Sequence, residues 1–178
     1  MTAERAEDPA PEFVRMIRAR PVPPEHAEVS ANADERAALA RRFGVRAVDA
    51  MRAEVDMAPD GDAILATGVL HAELTQACAV SGEDFAVRLE EPLALRFVTK
   101  AREVDPEEEA ELPADEPDEI EYAGDMFDLG EAVAQTLALA IDPYAEGPGA
   151  DAARREAGIV DEDSPKGPLA DALAALRK

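Results

Sequence analysis

A single cysteine, Cys78, excludes an internal disulfide and agrees with a reducing, cytoplasmic setting. Tryptophan is absent and only 4% of the chain is aromatic, so a core has to come mostly from Leu, Val, Ile, Met and Ala. No apolar run is long enough to cross a bilayer, and the opening MTAERAEDPAPEF is too acidic and polar for a secretory signal. Glycine-rich phosphate loops are also missing, since the glycines near Gly147 follow a helical stretch and do not open one. His26, His71 and Cys78 fall short of the sulfur and imidazole ligands a zinc site needs, so neither metal nor cofactor is expected. These gaps leave a soluble chain with no expected membrane or DNA partner.

What is present is one domain's worth of core and a polarised charge. The chain has 178 residues, 47% of them hydrophobic, and a formal net charge of -22. Residues 103 to 163 hold 21 acidic and 2 basic side chains, whereas the remainder holds 19 acidic and 16 basic. Within residues 13 to 54, Arg15, Arg18, Arg20, Arg36, Arg41, Arg42, Arg46 and Arg52 face six acids.

The clearest pattern lies between Asp62 and Lys100. Phe85, Val87, Leu89, Leu93, Leu95 and Phe97 alternate with Arg88, Glu90 and Arg96, the period of two that marks a strand with one buried face. Before them, Ile64, Ala66, Gly68, Leu70, Ala72 and Leu74 share a face, and the stretch from Cys78 to Asp84 suits a reversal. A second alternating run, Met51, Ala53, Val55 and Met57, lies in a strand from Val45 to Met57, turned by Pro59, Asp60 and Gly61.

Around this hairpin the chain divides into a disordered leader over 1–12, a single α+β domain over 13–143, a flexible acidic tail over 144–167 and a short helix over 168–178. Inside the domain, Phe13 to Arg18 forms a short first strand that the prolines from Pro21 end. A helix capped by Asn32 or Ser30 runs to about Phe43, with Gly44 as its stop. Residues 101–119 form a solvated acidic loop, and Ile120 to Tyr122 returns as a short strand. Asp128 then starts a strong helix, with Glu131 completing an Asp variant of the capping box and Pro143 ending it. The expected fold is a twisted antiparallel sheet of about five or six strands, open to curling into a partial barrel, with two or three packed helices.

The run GVLHAELTQACAVSGEDFAVRLEEPLALRF, an acidic insertion and then DMFDLGEAVAQTLALAIDPYAEGPGA together resemble the YceD family of large ribosomal RNA subunit accumulation proteins, most nearly its alphaproteobacterial branch. The resemblance implies a part in accumulation or maturation of the large-subunit (23S) ribosomal RNA, and carries over no catalytic residue. Where some relatives have a second cysteine this chain has Ser81, and the family's usual proline is replaced by Asp84.

Two functional readings follow, neither enzymatic. In the first, Arg15, Arg18, Arg41, Arg42, Arg46 and Arg52, joined by Arg88, Arg96 and Lys100 on a strand face, contact ribosomal RNA phosphates. The acidic loop, with Glu107, Glu108, Glu109 and Glu111, then holds a basic large-subunit ribosomal protein. In the second, the chain is a protein-binding or regulatory module with no RNA contact, and its arginines are a solvated face. Cys78 reads as a small buried hydrophobe, because no basic partner that would stabilise a thiolate is visible, and His71 as a strand-surface residue, because no nucleophile and orienting carboxylate can be matched to it. Glu107 to Glu109 lack the spacing of a calcium loop.

Overall fold

The structure, a computed structural model, describes residues 12–99 and 117–159. The leader up to residue 11, the acidic loop with Glu107 to Glu111, Lys100 and the C-terminal helix lie outside the described residues. The element order is β1 (Met16–Arg18), β2 (His26–Ser30), α1 (Ala33–Phe43), β3 (Ala47–Asp60), β4 (Ala63–Ala77), β5 (Asp84–Val98), β6 (Asp118–Glu121), β7 (Met126–Asp128), α2 (Leu129–Ala140) and α3 (Ala150–Glu156).

The long strands form where the alternation places them. Met51, Ala53, Val55 and Met57 of β3 are buried, as are Ile64, Ala66, Leu70, Ala72 and Leu74 of β4 and Leu93, Leu95 and Phe97 of β5. Antiparallel pairing of β3 with β4 sets Met51 opposite Ala72, Ala53 opposite Leu70 and Met57 opposite Ala66, so both apolar sets face one way. Gly61, at φ 61°, makes the two-residue turn between them. A register shift between Val48 and Ala50 leaves Asp49 as an extra residue, which lets Val48 face inward on the opposite parity to Met51.

The fold is α+β: the main sheet runs β2-β3-β4-β5-β6, with β2 and β6 at its edges among the described residues and no closed barrel. It is mixed rather than wholly antiparallel, because β6 pairs parallel to β5, with Phe97 opposite Ile120. A parallel neighbour needs a long connection, and the acidic insertion after Val98 supplies it. Sequence periodicity missed β2 and β7: the first offers only Ala27 and Val29 to the interior, the second only Phe127. The first strand also pairs elsewhere than in the main sheet, forming with β7 a two-stranded antiparallel ribbon in which Ile17 faces Phe127.

Both long helices begin on side-chain caps. At α1 the Asn32 side chain accepts from the N–H groups of Asp34 and Glu35, while the Glu35 carboxylate accepts from the Asn32 N–H at 2.8 Å, a complete capping box. Gly44, at φ 70°, ends the helix as expected. At α2 the box is only half made: Asp128 accepts from the Glu131 N–H, but the Glu131 carboxylate turns to Arg42 at 2.6 and 2.8 Å. Leu129, Ala132, Val133, Ala134 and Leu137 are its buried face. The few aromatics are concentrated in the core, with Phe13, Phe97 and Phe127 fully buried and the last two stacked at 4.1 Å between ring centroids.

Compactness divides the chain into two units, one reaching to Gln76 and resuming from Ala86 to Asp142, the other made of Ala77–Phe85 and the chain from Pro143. In the second unit the stretch expected to be a featureless tail contains α3, with Ala150 buried and Arg154 paired with Glu146 and Asp151.

Within the first unit, the segment from Phe13 to Arg15 lies directly on the start of α2. Arg15 N–H donates to Asp128 Oδ1 at 2.8 Å, and Leu129 N–H donates to the Arg15 carbonyl at 3.0 Å. This approach requires a glycine at 130, where an added Cβ would sit 2.4 Å from the Phe13 carbonyl oxygen and 2.7 Å from the Arg15 nitrogen, both backbone atoms. Gly130→Ala is therefore expected to lower unfolding free energy by about 1–3 kcal/mol, despite alanine's better helix propensity. Urea denaturation checks this, and an unchanged or raised midpoint would contradict the contact.

Candidate functional site

Of the nine cations expected to meet RNA, Lys100 lies outside the described residues and the other eight separate into three groups. Arg15, Arg42 and Arg96 are structural. The two guanidinium arms of Arg15 bind Glu35 at 2.7 and 2.9 Å, with one also reaching the Ser30 carbonyl and the group lying 4.3 Å from the Phe13 ring centroid. Arg42 holds Glu131 with two arms and Glu12 at 3.1 Å, and Arg96 joins Asp60 at 3.0 Å to Glu119 at 2.6 Å. Hydrogen bonds to these carboxylates raise all three arginine pKa values further. The same contacts hold the carboxyls of Glu35 and Glu131 below the ordinary range.

A second group is surface-paired. On the outer face of the sheet, Arg52 of β3 stands opposite His71 of β4, and Glu90 of β5 lies 3.5 Å from His71 Nδ1. Arg88 Nε approaches Glu73 at 3.1 Å, and Arg52 is 3.9 Å from Glu54. Arg52, His71, Glu73, Arg88 and Glu90 rim an open depression of about 290 Å³ with Ala50 and Leu89. Such exposed pairs are each worth only about 0–1 kcal/mol, so either arginine can turn to a ligand. Three carboxylates nevertheless accompany the two arginines, and the patch offers no surplus of positive charge to a phosphate.

Arg18 and Arg41 make up the third group, exposed and without an ion-pair partner among the described residues. Arg46 is exposed but not free of interactions. Among the described residues, these arginines are therefore divided between carboxylate-held, surface-paired and exposed positions. Sequence reasoning did not pair these arginines with Glu35 and Glu131, because the partners lie far apart along the chain. The three-residue spacing from Asn32 to Glu35 was the available signal for one of them.

Carboxylates dominate what remains exposed. Asp118 and Glu121 lie on β6 at one open edge of the sheet, next to the segment that joins it to the acidic loop. His26 sits at the other edge, where Asp56 at 2.8 Å and then Glu28 raise its pKa. Among the described residues no group of three His, Cys, Asp or Glu side chains is placed to hold a metal ion, and no helix is long and apolar enough to cross a membrane.

Cys78 belongs to the second unit and is buried. The turn closes on itself through Cys78 N–H to the Glu83 carbonyl at 2.8 Å and Gly82 N–H to the Cys78 carbonyl at 2.9 Å. The N–H groups of Val80 and Ser81 point at Sγ from 3.4 and 3.3 Å. Hydrogen bonding from the Ser81 side chain and then its N–H, with smaller help from Gly147 and Val80, lowers the thiol pKa to about 7. No basic side chain is needed for this shift, which is why a search for one in the sequence misses it.

A model of the family described as large ribosomal RNA subunit accumulation protein YceD matches residues 66–178 of the chain. No curated protein and no solved structure matches it.

Because the folded-state pKa of Cys78 lies below that of a free thiol, ionisation stabilises its turn. That contribution is complete above about pH 8.5, the free-thiol value, and is lost as pH falls through about 7. Iodoacetamide labelling, slowed by burial, should titrate with a midpoint near 7, and a midpoint at the free-thiol value would rule out the N–H cradle.

Proposed function

The chain belongs to the YceD family of large ribosomal RNA subunit accumulation proteins, and from that premise we propose that it is a non-enzymatic, cytoplasmic assembly factor that binds a basic large-subunit ribosomal protein through its carboxylates. In this role it supports 23S ribosomal RNA accumulation by keeping that protein from premature contacts until the RNA displaces the factor.

The observation that carries the reading is the fate of the arginines. Arg15, Arg42 and Arg96 are held by carboxylates within the fold, while the chain keeps a formal net charge of -22 and presents Asp118 and Glu121 on an open edge. A surface of that sign attracts a cationic protein and repels a polyanion. Direct RNA contact is the second reading, favoured by the exposed guanidinium groups of Arg18, Arg41, Arg52 and Arg88. In the remaining alternative, a regulatory module without RNA contact, the protein meets partners through an open sheet edge.

Binding to a purified basic large-subunit ribosomal protein should weaken steeply with salt. Replacing the carboxylates of residues 103–118 and Glu121 with amides should weaken it further, whereas Arg41→Gln should leave it unchanged. If the amide variant binds as tightly as the parent, the acidic segment is only a solubiliser. Crosslinking to large-subunit RNA that disappears in Arg18→Gln, Arg41→Gln, Arg52→Gln, Arg88→Gln would establish the RNA reading instead.

A further inference from the structure

The β1–β7 ribbon has features that neither the ribosomal reading nor the core requires. In this ribbon Ala19 N–H donates to the Asp125 carbonyl and Leu129 N–H donates to the Arg15 carbonyl. Antiparallel pairing alternates, so Ile17 and Phe127, midway between those pairs, are the bonded residues. The peptide groups of Met16 and Arg18 therefore point away from β7, along an edge where the described residues supply no third strand.

The outward face of the ribbon carries exposed apolar side chains. Val14, Met16 and Met126 are 42%, 48% and 40% exposed, so three of the seven large hydrophobic side chains exposed among the described residues lie together on one short ribbon. An open strand edge of this composition is normally blunted or occupied. Arg18 stands opposite Met126 on the same face, and Arg20 follows just beyond the strand; both are exposed and lack an ion-pair partner among the described residues. The nearby carboxylate of Asp128 is already engaged by the N–H groups of Arg15 and Glu131, while exposed Asp125, and exposed Asp62 in the depression that Arg20 lines, oppose them.

We propose that the free edge of β1 takes an extended segment of a partner protein, carrying apolar and acidic side chains in turn along one face, as a third strand of the ribbon. The outward peptide groups of Met16 and Arg18 supply main-chain hydrogen bonds, Val14, Met16 and Met126 receive the apolar side chains, and Arg18 and Arg20 receive the acidic ones. Nucleic acid is a poorer match, because it offers no alternating N–H and C=O groups and no aliphatic side chains. A second copy is also a poorer match, because a three-residue strand buries far less than the roughly 800 Å² per partner of a stable interface. The inference does not rest on the ribosomal reading, since it concerns partners of opposite charge to a basic ribosomal protein.

The test uses the full chain and two fluorescein-labelled peptides of about ten residues with threonine at every second position, the positions between alternating valine with aspartate in one peptide and valine with lysine in the other. The aspartate peptide should bind and slow hydrogen exchange at the amides of Met16 and Arg18. The double variant Arg18→Glu, Arg20→Glu should weaken it about tenfold and favour the lysine peptide, and Asp125→Asn should tighten it. These positions are solvent-facing, and a thermal melt checks that each variant is folded. Equal affinity for the two peptides, or no protection by either, overturns the proposal. So does protection of the same amides by a single-stranded RNA oligonucleotide, or by concentration-dependent dimerisation without peptide.

Discussion

One carboxylate secures the crossing on which the first unit's architecture depends. Asp128 Oδ1 accepts from Arg15 N–H and from Glu131 N–H, so a single side chain caps α2 and anchors the segment leading into β1. Gly130 allows the two backbones to meet, and Phe13 is fully buried beside them. A backbone crossing this close admits no side chain between its members, so its geometry is set by atoms that cannot rotate away. The ribbon, the capped end of α2 and the core aromatics Phe13 and Phe127 all take their positions from it.

The arginines extend the same construction outward. Arg15 ties the crossing to the capping box of α1 through Glu35, and Arg42 ties the far end of α1 to the first turn of α2 through Glu131. Each bond satisfies a guanidinium fork with two carboxylate oxygens, a geometry lysine cannot reproduce. Glu35 and Glu131 thus do two jobs each, as first-turn acids favoured by their helix dipoles and as anchors for a distant arginine. The cost is functional: a cation fixed in this way cannot also steer a polyanion. Fewer cations are consequently free at the surface than a count of side chains along the chain implies.

The second unit follows a local logic. Its turn bonds Cys78 to Glu83 and Gly82 to Cys78, and two successive N–H groups converge on a buried sulfur. Convergent N–H dipoles stabilise negative charge, which shifts this thiol without the help of a basic side chain. Gly147 packs against the Phe85 ring in the same unit, at a distance that an added Cβ would reduce to 2.9 Å.

From the chain alone, periodicity determined the long strands β3, β4 and β5 and their buried faces, because a period of two is a local property that burial on one side imposes directly. Helix limits were legible for the same reason: Asn32, Gly44 and Asp128 act on backbone groups within a few residues of themselves. Tertiary structure alone decided the rest. The parallel return of β6, the short strands β2 and β7, and the release of β1 into a separate ribbon each depend on partners far away in the chain, and their own residues alternate too briefly to declare a face. It also decided the arginines, whose availability depends on which carboxylates the fold brings within reach, a matter of three-dimensional distance that no spacing in the sequence encodes.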